Sequence, residues 1–489
     1  MTLSFASFMS GFIFLRKRYA TGYLMMLSLL ISIILQVQWA KAEDLMQAYS
    51  LAREKDPTFL SQMSRHEASP ERYKQAYSEL LPTLSLDSYY QYTRQEIFET
   101  DVAVYGDKLA RYPSKGYNLI LTQPIFKYSS LLRLDQAREE VKSADLEFQA
   151  AEQDLILRTA EAYINSLKAY DNLEYTKSEE ESVKLHFELA RERYTNGLAP
   201  ITDFHDAKAR LAYMTALRIV AENDLDNALE ALAEITGERI DNPARLIFSQ
   251  GSLNLSVTPG EAGVNPEIQG EGVKGEMPLI NPEPENIDAW ISAAREQNLE
   301  VLVRRQDLLI AKQEIERQKA GYLPTITFVG RINRDYEGGS LFGGDSDLET
   351  REAIMQLNIP IFRGFSVLSR VREARTLSEA AEQELEKEIR LAERETRAAF
   401  LGVNSAIKNA EALRQSVISN EIALEAKKEG FKSGLFPSLA ILDAERDLHQ
   451  ARLEYVKSQY DYILNSLRLK RAVGILSEVD LEGINKWLE

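Results

Sequence analysis

Two hydrophobic rhythms run along this 489-residue chain, and each occurs twice. The first is strict alternation. Leu84, Leu86, Tyr90 and Tyr92 are interleaved with Ser85, Asp87, Gln91 and Thr93; Ile326, Phe328 and Ile332 alternate with Thr327, Arg331 and Asn333, with Gly330 interrupting the apolar side. Successive residues of a strand point to opposite faces, so the pattern predicts strands with one apolar and one polar face. Four segments are expected to be extended: 84–95, 117–126, 326–336 and 353–362. Runs of about ten alternating residues fit tilted strands in a bilayer, and a soluble hairpin gives much the same pattern. The segments between them carry Gly106, Gly116, Gly338, Gly339, Gly343 and Gly344, as exposed loops do.

The second rhythm has a period of 3.5. Steps of four and three from Ala392 reach Thr396, Ala399, Val403, Ala406, Ala410, Leu413, Val417, Asn420, Leu424, Lys427 and Phe431. The same steps from Leu155 reach Thr159, Ala162, Ser166, Ala169, Leu173, Thr176, Glu180, Val183, Phe187, Ala190 and Tyr194. A mostly apolar seam at this spacing implies left-handed helix-on-helix packing, and its alanines allow close axes. Prolines are absent from 127–199 and 361–436, so both tracts read as long helices, 128–194 spanning about 100 Å at about 1.5 Å per residue. Each ends at a breaker, Asn196-Gly197-Leu198-Ala199-Pro200 or Ser433-Gly434-Leu435-Phe436-Pro437, with a return helix over 201–236 or 438–473 stopped by Gly237 or Gly474.

These landmarks are copies. Leu81-Pro82-Thr83 returns 242 positions later as Leu323-Pro324-Thr325, and Pro124-Ile125-Phe126 returns 236 later as Pro360-Ile361-Phe362. The offset then stays at 237. The chain is therefore a duplicated module, mainly α with a small β part, whose copies differ chiefly in one loop, 95–116 against 334–352. The expected organisation is a signal over 1–42 and a first repeat over 43–240, with β-hairpin 84–126 and helical hairpin 128–236. A second repeat covers 287–482, with β-hairpin 326–362 and helical hairpin 364–473, before a tail over 483–489. Residues 241–286 hold six prolines and six glycines and read as a flexible insert.

Composition narrows the location. Arg16-Lys17-Arg18 precede a 14-residue apolar run, Leu24 to Val37, and the small-x-small triplet Ala40-Lys41-Ala42. That order is an export signal; an uncleaved anchor is the alternative, but the run falls short of the roughly 20 residues a helix needs to span. The absence of cysteine excludes disulfides, thiolate metal sites and a lipidated N-terminal cysteine. Beyond residue 42 there remain 54 basic against 75 acidic groups, which argues against nucleic acid as a partner. Exported, cysteine-free and acidic fits the periplasm or outer membrane of a Gram-negative cell.

Four strands in one chain cannot stand alone in lipid, because bare edge N–H and C=O groups cost several kcal/mol each. Either the strands are not in a membrane, or copies join; three copies would give a 12-stranded barrel and gather the long helices around the same axis. The order of features resembles the TolC family of trimeric outer-membrane exit ducts. The matching pieces are Ala42-Glu43-Asp44-Leu45-Met46-Gln47-Ala48-Tyr49, the two Leu-Pro-Thr strand openings, the two Pro-Ile-Phe strand ends and the tips at Gly197–Asp203 and Leu442-Asp443-Ala444. The resemblance implies a homotrimer with an outer-membrane β-barrel and a periplasmic α-helical barrel. It also implies docking on a periplasmic adaptor and an inner-membrane pump of the RND, ABC or MFS type, no cofactor, and passive export of drugs or proteins.

The resemblance also assigns the tips. Family members carry two inward aspartates on the second-copy tip, with a tyrosine and an arginine that lock it. Here the later aspartate falls on Asp443, the earlier on Ala440, the tyrosine on Phe431 and the arginine on Phe436; the first-copy aspartate that meets the arginine falls on Asp203. The charged lock is thus expected to be missing. Asp206 is the 237-offset equivalent of Asp443, and three copies of both would make an acidic, cation-favouring constriction. Asp203 has helix capping as its competing role, and Phe431 and Phe436 either form an apolar constriction or pack within the hairpin. Gly197, Leu198, Pro200, Gly434, Leu435 and Pro437 are the expected adaptor-docking tips. His66, His186, His205 and His449 lack metal spacing, and Ser405-Ala406-Ile407-Lys408 lies mid-helix without companions, so no catalytic set is expected. The competing function is a soluble periplasmic coiled-coil scaffold.

Overall fold

The computed structural model describes residues 44–96, 98, 109–245, 279–340, 344–436 and 438–488. The expected signal, residues 246–278 of the insert, and Pro437 lie outside the described residues. The order is α1 (Leu45–Lys55), α2 (Pro57–Ser78), β1 (Thr83–Glu96), β2 (Leu109–Phe126), α3 (Tyr128–Thr195) and α4 (Ile201–Thr236). The second half follows with α5 (Ile287–Gln297), α6 (Leu299–Lys319), β3 (Thr325–Glu337), β4 (Ser346–Asn358), α7 (Ser366–Lys432), α8 (Ser438–Val473) and α9 (Glu478–Asn485). The halves match helix for helix: 11 and 11 residues, 22 and 21, 68 and 67, 36 and 36. Equal lengths in equal order make each half one copy of the same module.

Local chemistry sets the helix ends. Asp44 caps α1 in a capping box with Gln47, and Asp56 caps α2 by accepting from Phe59 N at 3.0 Å. Pro70 sits inside α2 on an exposed side and does not end it. The expected left-handed glycines stop the long helices: φ is +71° at Gly197, +78° at Gly434, +70° at Gly237 and +85° at Gly474. At both tips a Schellman pair closes the turn, Leu198 N to Arg193 O (2.7 Å) and Leu435 N to Gly430 O (2.8 Å).

The seam of period 3.5 is buried in α7 at Ala392, Thr396, Ala399, Val403, Ala406, Ala410, Val417 and Leu424, and Ala399, Val403, Ala410, Val417 and Leu424 of it share core clusters with α8. Midway along α3 the main core gathers Leu155, Tyr163, Ile164 and Leu167 with Leu45 of α1, Tyr460 and Leu464 of α8, and Leu481 of α9. Both described ends of the 241–286 segment pack onto this belt. Arg245 pairs with the buried Asp171 at 2.8 Å, and Tyr462 Oη bridges the backbone N and O of Ile280, each at 3.1 Å. Burial pushes the Asp171 carboxyl up, opposed by hydrogen bonds from Tyr460 and Arg245.

The strands form one antiparallel sheet, order β1-β2-β3-β4. Its register aligns Leu86, Leu119 and Ile332 in one row and Leu84 with Leu121 in another. One face therefore carries Leu84, Leu86, Leu119, Leu121, Phe328, Ile332, Met355 and Leu357; the other carries Ser85, Asp87, Asn118, Arg331, Asn333 and Glu352. Leu84 and Leu86 are each 66% exposed and Met355 64%, so nothing among the described residues covers these apolar side chains.

Strand ends differ from the sequence expectation. β2 starts at Leu109 rather than 117, and β4 covers Ser346–Asn358 rather than 353–362, because β1 and β3 run out to Glu96 and Glu337 and offer partners there. Gly116, expected in a loop, lies inside β2. A Cβ on it would come within 2.5 Å of Asp335 Oδ1 and 2.8 Å of the Tyr89 ring. Its bare Cα lets the Tyr89 hydroxyl on β1 donate to Asp335 on β3 at 2.8 Å, across β2. At the other end β3 begins opposite Asn358, so Ile359–Phe362 have no strand partner among the described residues. β2 does reach Phe126, because β3 pairs with it past a bulge at Pro124/Phe126.

Candidate functional site at the hairpin tips

The far ends of α3–α4 and α7–α8 meet side by side. Leu198 and Leu435 protrude from the two turns, 70% and 76% exposed, beside Gly197 and Gly434, whose positive φ makes the turns possible. Pro200 occupies the N-cap position of α4 and starts it without a side-chain bond. Asp203 does not cap α4: it lies exposed in the first turn, where the helix dipole favours a carboxylate, and its Oδ1 accepts only from Thr202 Oγ1 at 3.4 Å. The capping role expected for it fails because the turn places Pro200, three residues earlier, at the cap.

Asp203 and Asp206 open onto a cavity of about 360 Å³ between the hairpins, whose walls include Leu189, Ala207, Phe431 and Leu442, with Arg210 at the rim. Phe431 takes the packing role of the two expected for it, on the α7–α8 core, and its ring also lines this cavity. Phe436 folds back within its own hairpin. Its ring sits where a Cβ of Gly430 would stand, with Cδ2 2.4 Å from that position, so Gly430 in the last turn of α7 is what makes room for it.

Asp443 does not join Asp206. It turns to Arg210 of α4, Nη1 to Oδ1 3.0 Å, with Arg446 at 3.7 Å from its own helix. Nearby, burial pushes the Glu179 carboxyl up, against Arg210 and Arg446. One step along α8, Glu445 ties three helices together: His186 Nε2 of α3 lies 3.6 Å away, Ser182 Oγ of α3 donates at 2.7 Å, and Lys428 Nζ of α7 lies at 3.5 Å. The His186 imidazole, Ser182 and Lys428 hold this carboxyl down to about 2, against burial. The family's charged pair has no counterpart here, with Phe436 and Ala440 at its positions; the chain links its two hairpins by charge in another way, through Arg210 with Asp443 and through Glu445 with His186. Arg210 carried no repeat signal, since its 237-offset equivalent is Asp447.

Among the described residues there is no group of three or more His, Asp or Glu able to hold a metal, and no helix long and apolar enough to cross a membrane. An amphipathic sheet open at both edges, joined to two long helical hairpins in a duplicated module, is the arrangement that the comparisons match. The profile of the family described as "outer membrane efflux protein" covers residues 48–238 and 290–475, one block per copy. The chain belongs to that family. It is 32% identical over 450 residues to the outer membrane protein TolC of Vibrio cholerae serotype O1, covering 92% of this chain and 94% of that one. It is 27% identical to the alkaline protease secretion protein AprF of Pseudomonas aeruginosa, covering 91% and 87%. Among solved structures, the outer membrane protein VceC from Vibrio cholerae superposes with a TM-score of 0.69 over 88% of this chain and 96% of that one, at 18% identity, and so shares the fold. An outer-membrane protein is what this family member is.

Proposed function

We propose that the protein is an outer-membrane exit duct of an efflux pump or type I secretion system, conducting passively from a periplasmic adaptor and an inner-membrane pump to the exterior. The observation that carries this reading is the sheet: one face apolar and exposed, the other polar, both edges unpaired. Three copies supply twelve strands and close a barrel with lipid outside and water inside. The hairpins then point into the periplasm, their tips at the entrance, with Leu198 and Leu435 as apolar contacts for the adaptor. Which of the RND, ABC or MFS pumps is served follows from the adaptor rather than from this chain.

The gate in this reading is the contact between tips. Within a chain Arg210 holds Asp443. The duplication gives the corresponding contact between chains by adding 237 to one partner and subtracting it from the other, which sets Asp447 against Asp206 of the neighbouring copy. Carboxylate facing carboxylate is repulsive, so the seams between copies are where the entrance parts. Single-channel recording in planar bilayers tests the duct: the account predicts a cation-selective pore whose selectivity falls in Asp443→Ala, and the absence of any conducting unit contradicts it.

A further inference from the structure

The free edges of the sheet carry more information than their being free. β2, the second strand of the first copy, pairs with β3, the first strand of the second copy. β4 and the β1 of a neighbouring chain stand in the same relation, second strand of one copy to first strand of the next. The offsets at this place are 236 for the outgoing strands, Pro124 to Pro360, and 242 for the incoming ones, Leu81 to Leu323. Carried over with those offsets, the observed pair Leu121–Gly330 becomes Leu357 with Ser88 of the neighbouring copy.

We infer that β4 of one copy pairs antiparallel with β1 of the next in this register, Leu357 opposite Ser88, and that Ile359–Phe362 join β4 there through a bulge at Ile361. The inference rests on the barrel reading and goes beyond it by fixing which residues meet. It accounts for the one asymmetry between the copies at this end of the sheet: β2 runs on to Phe126, whereas β4 stops at Asn358 and leaves Ile361 95% and Phe362 72% exposed. In the assembled register Phe362 lies opposite Leu84, as Phe126 lies opposite Ile326 within the chain.

One further feature agrees. Parity is correct: Leu357, Met355 and Phe362 come beside Ser88, Tyr90 and Leu84, all on the apolar face, while a slip of one residue would set Met355 and Leu357 beside polar-face residues of β1. At the outer rim Arg351 comes opposite Arg94, and each already has a carboxylate two residues away on its own strand, Glu349 at 2.6 Å and Glu96 at 3.3 Å. This register also sets Glu349 opposite Glu96, so like charges face each other at the rim, a cost that each strand offsets with its own arginine–glutamate pair. A closed barrel needs a fixed total stagger, and six junctions with one shared step supply it.

The chain has no cysteine, which makes cross-linking clean. Leu357→Cys is combined in turn with Leu86→Cys, Ser88→Cys and Tyr90→Cys in outer-membrane vesicles and oxidised; all but the strongest pairing discriminate themselves by distance. Directly opposite residues lie about 4.5–5.5 Å apart, within disulfide reach, and diagonal ones do not. The result expected is a ladder of covalent dimer and trimer, strongest with Ser88→Cys by several-fold. A maximum at Leu86→Cys or Tyr90→Cys overturns the register and leaves the barrel standing. No intermolecular product from any pair, with the variants still in the outer membrane, overturns the barrel reading itself. Hydrogen exchange on the unmodified protein gives a second readout: amides within 359–362 are protected in the assembled state, and exchange as fast as a free loop refutes the extension of β4.

Discussion

The two helical hairpins share a backbone and differ in what holds their distal halves. The second has a core of its own, Ala410, Val417, Leu424, Ile441, Ala444, Leu448, Ala451 and Tyr455, all buried between α7 and α8. The distal cluster of the first is Val183 and Met214, completed by Leu442 borrowed from the other hairpin. Near its tip the first relies on rings, Phe204 packing 5.7 Å from both Phe187 and Tyr194, where the equivalent second-copy positions are Ile441, Leu424 and Phe431. Duplication preserved helix length and turn geometry, which the tunnel needs, and let the side chains diverge into a self-sufficient arm and one completed by its neighbours.

The divergence is sharpest at Asp171 on α3, whose equivalent on α7 is the exposed Lys408. Asp171→Ala removes the buried carboxylate that Arg245 and Tyr460 share, while Arg245 keeps Glu174 at 2.6 Å, and is expected to cost about 1–3 kcal/mol in denaturant unfolding, whereas Lys408→Ala should cost within about 0.5 kcal/mol. Equal losses would mean the copies are held alike. At the tips, Ile441→Ala should cost about 2–4 kcal/mol and Phe204→Ala, on the half-exposed arm, about half of that. Thermal melts of the two variants read the order directly, and a larger loss for Phe204→Ala would reverse the assignment of the self-sufficient arm.

In the sheet, Gly116→Ala puts a methyl group between Tyr89 and Asp335 and should cost about 1–3 kcal/mol, seen as a lower dissociation temperature of the oligomer; its second-copy equivalent, Glu352, should accept alanine with little change. Arg210→Ala should also cost little, about 0.2–1 kcal/mol because Asp443 is 41% exposed, yet it should raise open probability in planar bilayers. Glu445 adds a pH dependence. Its carboxyl is held below its ordinary value, so the stabilisation is complete above about pH 4.5 and is lost as pH falls toward 2. Glu445→Gln should flatten that acid limb in melts at graded pH.

Much of this was legible in the sequence, because it is local or repeated. A 3.5-residue seam, a glycine after each long helix and a proline before each return helix specify the hairpins without reference to distant residues, and alternation specifies the strand faces. What was not legible depends on partners far apart in the chain. Arg210–Asp443 joins positions 233 residues apart with no counterpart in the repeat. Gly116 looked like a loop residue because its reason, a hydrogen bond between β1 and β3, involves neither of its sequence neighbours. Asp203 looked like a cap because aspartate three residues into a turn is common at caps, and only the φ, ψ of Pro200 decides. Within one chain β4 ends at Asn358, short of the expected 362, because the pairing that carries β2 on to Phe126 comes from β3 and β4 has no such neighbour on its free side.

The central claim is that the apolar face meets lipid and that copies close the sheet into a barrel. Native mass spectrometry of the detergent-extracted protein tests it most directly. The account predicts a complex of three chains that survives transfer from the membrane and falls apart or aggregates once detergent is removed. A folded single chain, stable in buffer without detergent, would contradict it.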